Sequence, residues 1–227
     1  MTLDGFIQLL ASATPSPGGG SASAVAASCG AALVAMVASL SVDRPKYAAY
    51  ATSHARHGAA GRVLATRLLA LADEDADAYA AFAAALKMPR ETDADKAART
   101  AAMRSCARIA AEAPLRTLEA CRDVVAASEG LGGRSNLNAA SDLAVASRLA
   151  EAAAHGAAEN VFVNLPSLGD EALADEMRGR AEALLAEIEE LAEATRAHVE
   201  RGELRDPETD EADGAGRVAR GPAGGAP

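Results

Sequence analysis

Apolar and polar positions repeat with a helical period along almost the whole chain. Residues 3–13 place Leu3, Phe6, Ile7 and Leu10 on one side of a short helix. The stretch "TPSPGGG" (14–20), with two prolines and three glycines, breaks it. Ser21 then offers an N-cap to a second helix running to about residue 42. That helix carries two stripes. Val25, Cys29, Leu33, Met36 and Leu40 follow the alternating spacing of a packing seam, while Gly20, Ala24, Ala27, Ala31 and Ala35 form a small-residue face that another backbone can approach. A long third pattern spans Tyr47 to Lys87, roughly 60 Å if unbroken, with Gly58 and Gly61 as points of bending. A fourth runs from Asp93 to Ser128, where Pro114 predicts a kink or restart. After the loop "EGLGGRSNLN" (129–138), a fifth covers about 139–165 and ends at Pro166. The sixth, 170–201, is an acidic surface helix with Leu184, Leu185, Ile188 and Leu191 inward.

Composition agrees with this pattern. Alanine, the best helix former, supplies 61 of 227 residues, and aromatic residues only 3%. The expected fold is an all-α bundle of about six long helices, one domain over residues 1–201. Residues 202–227 hold nine Gly or Pro and are expected to form a disordered tail. A buried methyl group removes little apolar area from water, so an alanine core is thin. Helices shared between subunits would compensate, and an obligate homodimer is expected.

The net charge of −10 argues against nucleic acid or an anionic membrane surface as partner. Residues 24–40 are apolar enough to resemble a membrane span, but alanine supplies most of that hydrophobicity, and a buried helix is expected instead. The first residues lack the positive start of a signal peptide. With Cys29, Cys106 and Cys121 on helical patterns and in no ligand spacing, reduced buried thiols in a cytoplasmic protein are expected.

Candidate chemistry is sparse. No Gly-Lys-Ser/Thr follows Gly18-Gly19-Gly20, and no strand precedes it, so neither a P-loop nor a dinucleotide fingerprint is present. Exposed amides at a helix start still suit an anion or a carbonyl, and the loop reads either as a hinge or as a ligand cradle. "DEDAD" (73–77) lacks the Gly and Glu of a calcium loop; it reads as a solvated face or as one with a carboxylate turned inward. "RSNLNAASDL" (134–143) gathers Arg134, Asn136, Asn138, Ser141 and Asp142 at the start of the fifth helix, more polar groups than one cap needs. Asp142 and Asn160 share a helix face but stand about 27 Å apart, so only different copies in an oligomer could bring them together. His54 and His57 lack acidic or cysteine partners nearby in sequence, which favours structural or solvated roles over a metal.

Taken together, "PSPGGGSASAVAASCGAALVAMV", "DEDADAYAAFAAALKMPRETDADKAAR", "APLRTLEAC" and "SNLNAASDLAVASRLAEAAAHGAAENVFVNL" resemble the cyclodeaminase/cyclohydrolase family of folate enzymes. The same domain forms the C-terminal half of formimidoyltransferase-cyclodeaminase. The resemblance spans residues 3 to about 195. It implies an all-helical homodimer or dimer of dimers that acts on one-carbon units of tetrahydrofolate without metal or redox cofactor. Members either expel ammonia from 5-formimidoyltetrahydrofolate or hydrolyse 5,10-methenyltetrahydrofolate to the 10-formyl compound. The extent of the match puts deamination slightly ahead of hydrolysis, with a non-catalytic folate-binding scaffold third. Under this resemblance Gly18, Gly19, Gly20 and Ser21 belong to a folate pocket, and Asp142 is the leading acid/base with Asn136 orienting substrate. Asp75 is a second carboxylate, and Lys46 and Arg134 meet the glutamyl tail. Two departures stand out: Ser135-Asn136 replaces the usual Gly-Asn pair, and Ser41-Val42-Asp43 replaces a Gly-containing turn.

Overall fold

The computed structural model describes residues 2–208. Six α-helices make up the described residues, with no strand among them: α1 (Leu3–Leu10), α2 (Gly19–Ser39), α3 (Ala51–Leu86), α4 (Asp93–Leu131), α5 (Ala140–Asn164) and α6 (Glu171–Arg201). A 3₁₀ turn, Pro45–Tyr50, takes the first turn of the expected third helix, because Pro45 opens it.

The small side chains explain the packing. α2 lies between α3 and α5, antiparallel to both. Ser28 Oγ donates to the Ala65 carbonyl at 2.8 Å. A Cβ on Gly61 would stand 2.7 Å from the Ala31 carbonyl oxygen, and one on Gly30 2.8 Å from that of Ala146. At these positions the backbones nearly touch, and glycine is what permits it. α4 packs behind α2 against α3 and α5, and α6 covers the back of α4 and α5. α6 runs parallel to α4, with Arg180 paired to Glu119 and His198 3.3 Å from Glu129. Ile188 of α6 is fully buried, with Leu184, Leu185 and Leu191 packed beside it, as expected.

The structure corrects the reading of α2. The small-residue stripe is the buried face: Ala24, Ala27, Ala31 and Ala35 are buried. The expected seam is not covered within this chain. Cys29, Met36 and Leu40 are exposed, and Val25 and Leu33 are half-buried. Small faces win the interior because they let two helices approach at once. On α1 only Phe6 is buried, while Leu3 and Ile7 are exposed.

Pro114 neither kinks the chain out of helix nor restarts it; α4 is continuous from a Thr92–Asp95 capping box to Leu131. The domain also extends beyond residue 201. Residues 202–208 fold back over the ends of α3 and α4: Arg205 N–H donates to Gly133 O at 2.8 Å, Tyr50 Oη to Arg205 O at 2.7 Å, and Ser53 Oγ to Glu208 at 2.9 Å. The expected tail from 209 onward lies outside the described residues.

Candidate active site

Polar groups collect at the N-terminus of α2. Ser21 does not cap this helix; Gly18 occupies the N-cap position and has no side chain to satisfy the first amides. Ser21 is instead buried in the first turn, facing α3. Its Oγ lies 2.9 Å from Asp75 Oδ2 and 3.0 Å from the Ala72 carbonyl oxygen. A hydroxyl has one proton to give. If Ser21 donates to Ala72, the contact with Oδ2 is a hydrogen bond only when Asp75 is protonated and donates to Ser21. If Ser21 donates to Asp75, the carboxylate is ionised. The same geometry accommodates both protonation states.

Burial raises the Asp75 pKa above the ordinary carboxylate value, opposed in part by the Ser21 hydroxyl and backbone amide. The Asp75 carboxyl thus stands at the start of α2, where the helix favours an anion and burial opposes one. This is also why position 20 is glycine, since a Cβ there would overlap the Asp75 carboxylate. Of the "DEDAD" carboxylates, Asp73 and Asp77 are exposed and Asp75 is the one turned inward.

A cavity of about 390 Å³ opens beside this carboxylate. Pro15, Ser16 and Gly18–Gly20 form one wall, Asp75, Tyr79 and Phe82 of α3 another, and Asn160, Val163 and Asn164 of α5 a third; Ala110 of α4 and Ser167 complete it. Asn160 Nδ2 donates to Gly156 O at 2.7 Å, and Asn164 Nδ2 donates to Asn160 O at 2.7 Å and Ala110 O at 3.0 Å. A carbonyl can only accept, so each amide nitrogen is identified by its partner and each Oδ1 is left as an acceptor. Among the described residues no lysine or arginine lines the cavity. It combines two aromatic rings with a carboxyl and two amide oxygens.

The other sequence-derived candidates lie at the opposite end of α2. Asn136 is buried and holds backbone: its N–H donates to Ser41 Oγ at 2.8 Å, and its Oδ1 accepts from Asn138 N–H at 3.2 Å. Arg134 donates from Nε to the Asp206 carbonyl at 2.8 Å, and its own carbonyl contacts His54 Nε2 at 2.8 Å. Lys46 is exposed, with Nζ 5.5 Å from the Tyr47 ring centre. A separate hollow of about 480 Å³ lies here, lined by Ser41–Pro45, Tyr47 and His54 among others. Asp142, in the first turn of α5, is half-buried and has no hydrogen-bond or ion-pair partner among the described residues. One chain thus brings Gly18–Ser21 and Asp75 together and leaves Asp142, Asn136, Arg134 and Lys46 about a helix length away.

Asn160 and Asn164 belong to the family-like stretch 135–165 and are not among the site residues expected from sequence. Their spacing of four, just before Pro166, is the sequence signal that could have marked them. The histidines have structural surroundings: His54 and His57 are both buried, and burial lowers the His57 pKa despite the nearby Glu208 carboxylate. Of the cysteines, only Cys121 is buried, its thiol pushed up to about 12 by burial; Cys29 is exposed. Among the described residues no three His, Cys, Asp or Glu side chains gather as a metal site.

The family described as Formiminotransferase-cyclodeaminase matches residues 2–183. The chain belongs to this family. It is 37% identical over 186 residues to the methenyltetrahydrofolate cyclohydrolase of Methylorubrum extorquens, covering 82% of this chain and 89% of that protein. It is 32% identical to the formimidoyltransferase-cyclodeaminase of Rattus norvegicus over 82% of this chain, but spans only 34% of that larger protein. The formiminotetrahydrofolate cyclodeaminase of Thermotoga maritima, a solved structure, superposes with a TM-score of 0.81 at 25% identity, covering 88% of this chain and 96% of that one. The family's all-helical fold and its enzymatic character agree with the reading from sequence.

Proposed function

We propose that this protein acts on the one-carbon bridge between N5 and N10 of tetrahydrofolate, hydrolysing 5,10-methenyltetrahydrofolate to the 10-formyl compound. The observation that carries the reading is the cavity beside Asp75, rich in acceptors and lined by no lysine or arginine among the described residues. The methenyl bridge is an amidinium whose positive charge is shared over N5, C and N10, and a carboxylate beside it is complementary. Water adds to the bridge carbon as a base removes its proton. The carbinol hydroxyl then gives up its proton to become the formyl oxygen as the C–N5 bond breaks and N5 takes up a proton, so that one proton in all is released to solvent. Asp75, held with Ser21 in a geometry that suits both protonation states, serves as that base and then as the acid. Tyr79 and Phe82 offer faces for the flat pteridine.

The likeness to the cyclohydrolase of Methylorubrum extorquens over 89% of that protein favours hydrolysis. Deamination is the second reading, favoured by the fold match to the Thermotoga maritima cyclodeaminase. There N10 attacks the formimidoyl carbon and loses its proton, and the imino nitrogen gains two protons, one replacing that of N10 and one from the same carboxyl, and leaves as ammonia. Purified protein is given each substrate while methenyl absorbance and ammonia are followed. Absorbance falling faster than its spontaneous rate supports hydrolysis. Absorbance rising with ammonia from the formimidoyl compound supports deamination, and silence in both defeats the catalytic reading and leaves the non-catalytic scaffold.

The exposed stripe of Cys29, Met36 and Leu40 on α2 supports the further proposal of a homodimer built on this face, where a second copy brings Lys46 and Asp142 to the site. Met36→Glu should then yield monomers in light scattering. A wild-type protein that is itself monomeric would dismiss the dimer.

A further inference from the structure

Pro114 stands inside α4, buried, where a proline ordinarily breaks a helix. Having no N–H, it cannot donate to the carbonyl of Ala110, four residues earlier. That carbonyl nevertheless has a partner: Asn164 Nδ2, at 3.0 Å, from the last residue of α5. The same Nδ2 also donates to Asn160 O at 2.7 Å. Both amide protons of Asn164 are therefore committed, the plane of its side chain is set from two directions, and its Oδ1 accepts from no described residue. Ala110 and Asn164 both line the cavity beside Asp75. An alanine at position 114 would return an N–H to the Ala110 carbonyl and compete with Asn164 for it.

We propose that Pro114 is a positioning residue: by withholding its amide hydrogen it reserves the Ala110 carbonyl for Asn164, and so holds Asn164 Oδ1 as an acceptor for an N–H of the ligand. This rests on the folate reading of the cavity, where the amino and ring N–H groups of a pteridine are such donors. A proline kept in a helix interior for packing alone would have no consequence at α5. One kept for Asn164 sacrifices helix stability for a fixed acceptor.

The test is Pro114→Ala, with Asn164→Asp as the second variant, because a carboxylate cannot donate to the Ala110 carbonyl. Three readouts are taken: melting temperature, the ¹⁵N side-chain amide signal and exchange of Asn164, and the dissociation constant of 5-formyltetrahydrofolate as a stable probe. Pro114→Ala is expected to melt a few degrees higher, to lose exchange protection at the Asn164 amide, and to bind the probe about tenfold more weakly. The double variant should bind no worse than Asn164→Asp alone, since both changes remove one interaction. An Asn164 amide unchanged by Pro114→Ala, or losses that simply add, overturns the proposal. If the amide responds while the wild-type protein neither binds the probe nor turns over either folate, the positioning stands and the folate reading falls.

Discussion

The two ends of α2 make an instructive pair. Both are polar, both adjoin a hollow, and both drew attention in the sequence. At the C-terminal end the polar groups are spent on one another: Asn136 holds Ser41 and Asn138, Leu137 N–H reaches Tyr47 Oη at 3.2 Å, and Arg134 holds the returning segment 202–208. At the N-terminal end they are oriented but not exhausted. Asp75 has one oxygen on Ser21, and Asn160 and Asn164 give their amide protons to backbone and keep their oxygens. A cluster that consumes its own hydrogen-bonding capacity builds structure. One that fixes direction and leaves capacity over is prepared for a ligand.

The comparison is broken most forcefully at the N-terminal end. Gly20→Ala should displace the Asp75 carboxyl, and Asp75→Asn should remove its proton chemistry; each is expected to lower kcat by about 10²-fold or more. The two differ in stability. Asp75 has a raised pKa in the folded protein, so the fold holds its proton to higher pH than the unfolded chain does. Its contribution is therefore present below the ordinary value of 3.8 and is lost as pH rises through the window above it. Asp75→Asn should melt higher than the wild type at pH 7 while losing activity. A variant less stable at pH 7 would mean that the carboxylate is held favourably as an anion.

The opposite end should respond in the opposite sense. Asn136→Ala removes the side-chain bonds to the Asn138 N–H and the Leu40 carbonyl and is expected to cost about 1 kcal/mol in denaturant unfolding, with kcat within about twofold of the wild type. Asp142→Asn sharpens the contrast. Little change in either quantity fits its half-exposed, unpartnered place in this chain. A fall in kcat matching that of Asp75→Asn, in a protein of unchanged stability, would place the chemistry in a pocket shared by two chains.

The smallest effect concerns the segment 202–208, which meets this end through Glu208. Burial lowers His57, so acid costs stability as pH falls below 6.5. Burial would raise Glu208, but the hydrogen bond from Ser53 and the His57 and Arg56 charges carry it below its ordinary value. Its contribution is lost only at more acid pH. Arg134, 3.7 Å from Glu208, adds a further cation. Hydrogen exchange at the Arg205 amide, corrected for the intrinsic pH effect, should speed up between pH 7 and 5.5. No change would mean that Arg205, held by Glu129 and Gly132 O, anchors the segment alone.

Much of this architecture was legible in the sequence because helices announce themselves locally. Periodicity and the Gly/Pro breaks locate all six to within a few residues, and the glycine run before α2 and the acidic run on α3 mark Gly18–Ser21 and Asp75 as candidates. What escaped depends on neighbours. The inward stripe of α2 is decided by Gly58 and Gly61 on another helix, and the apolar spacing of Val25 to Leu40 points the other way. Asn136 carries the same cap-like signature whether it holds backbone or a ligand. Nothing local to "VFVNLP" reveals that Asn164 answers a proline fifty residues earlier.

The alanine-rich interior has a thermodynamic consequence of its own. Ala24, Ala27, Ala31, Ala107, Ala111, Ala146, Ala150, Ala154 and Ala157 are buried in the central cluster, and an alanine has no rotamer to lose when it is buried. Folding here sacrifices backbone freedom and very little side-chain entropy. Where these alanines meet, the interior has no alternative rotamers into which it could relax. An opening that admits a ligand at those contacts must therefore come from whole helices or loops shifting as units.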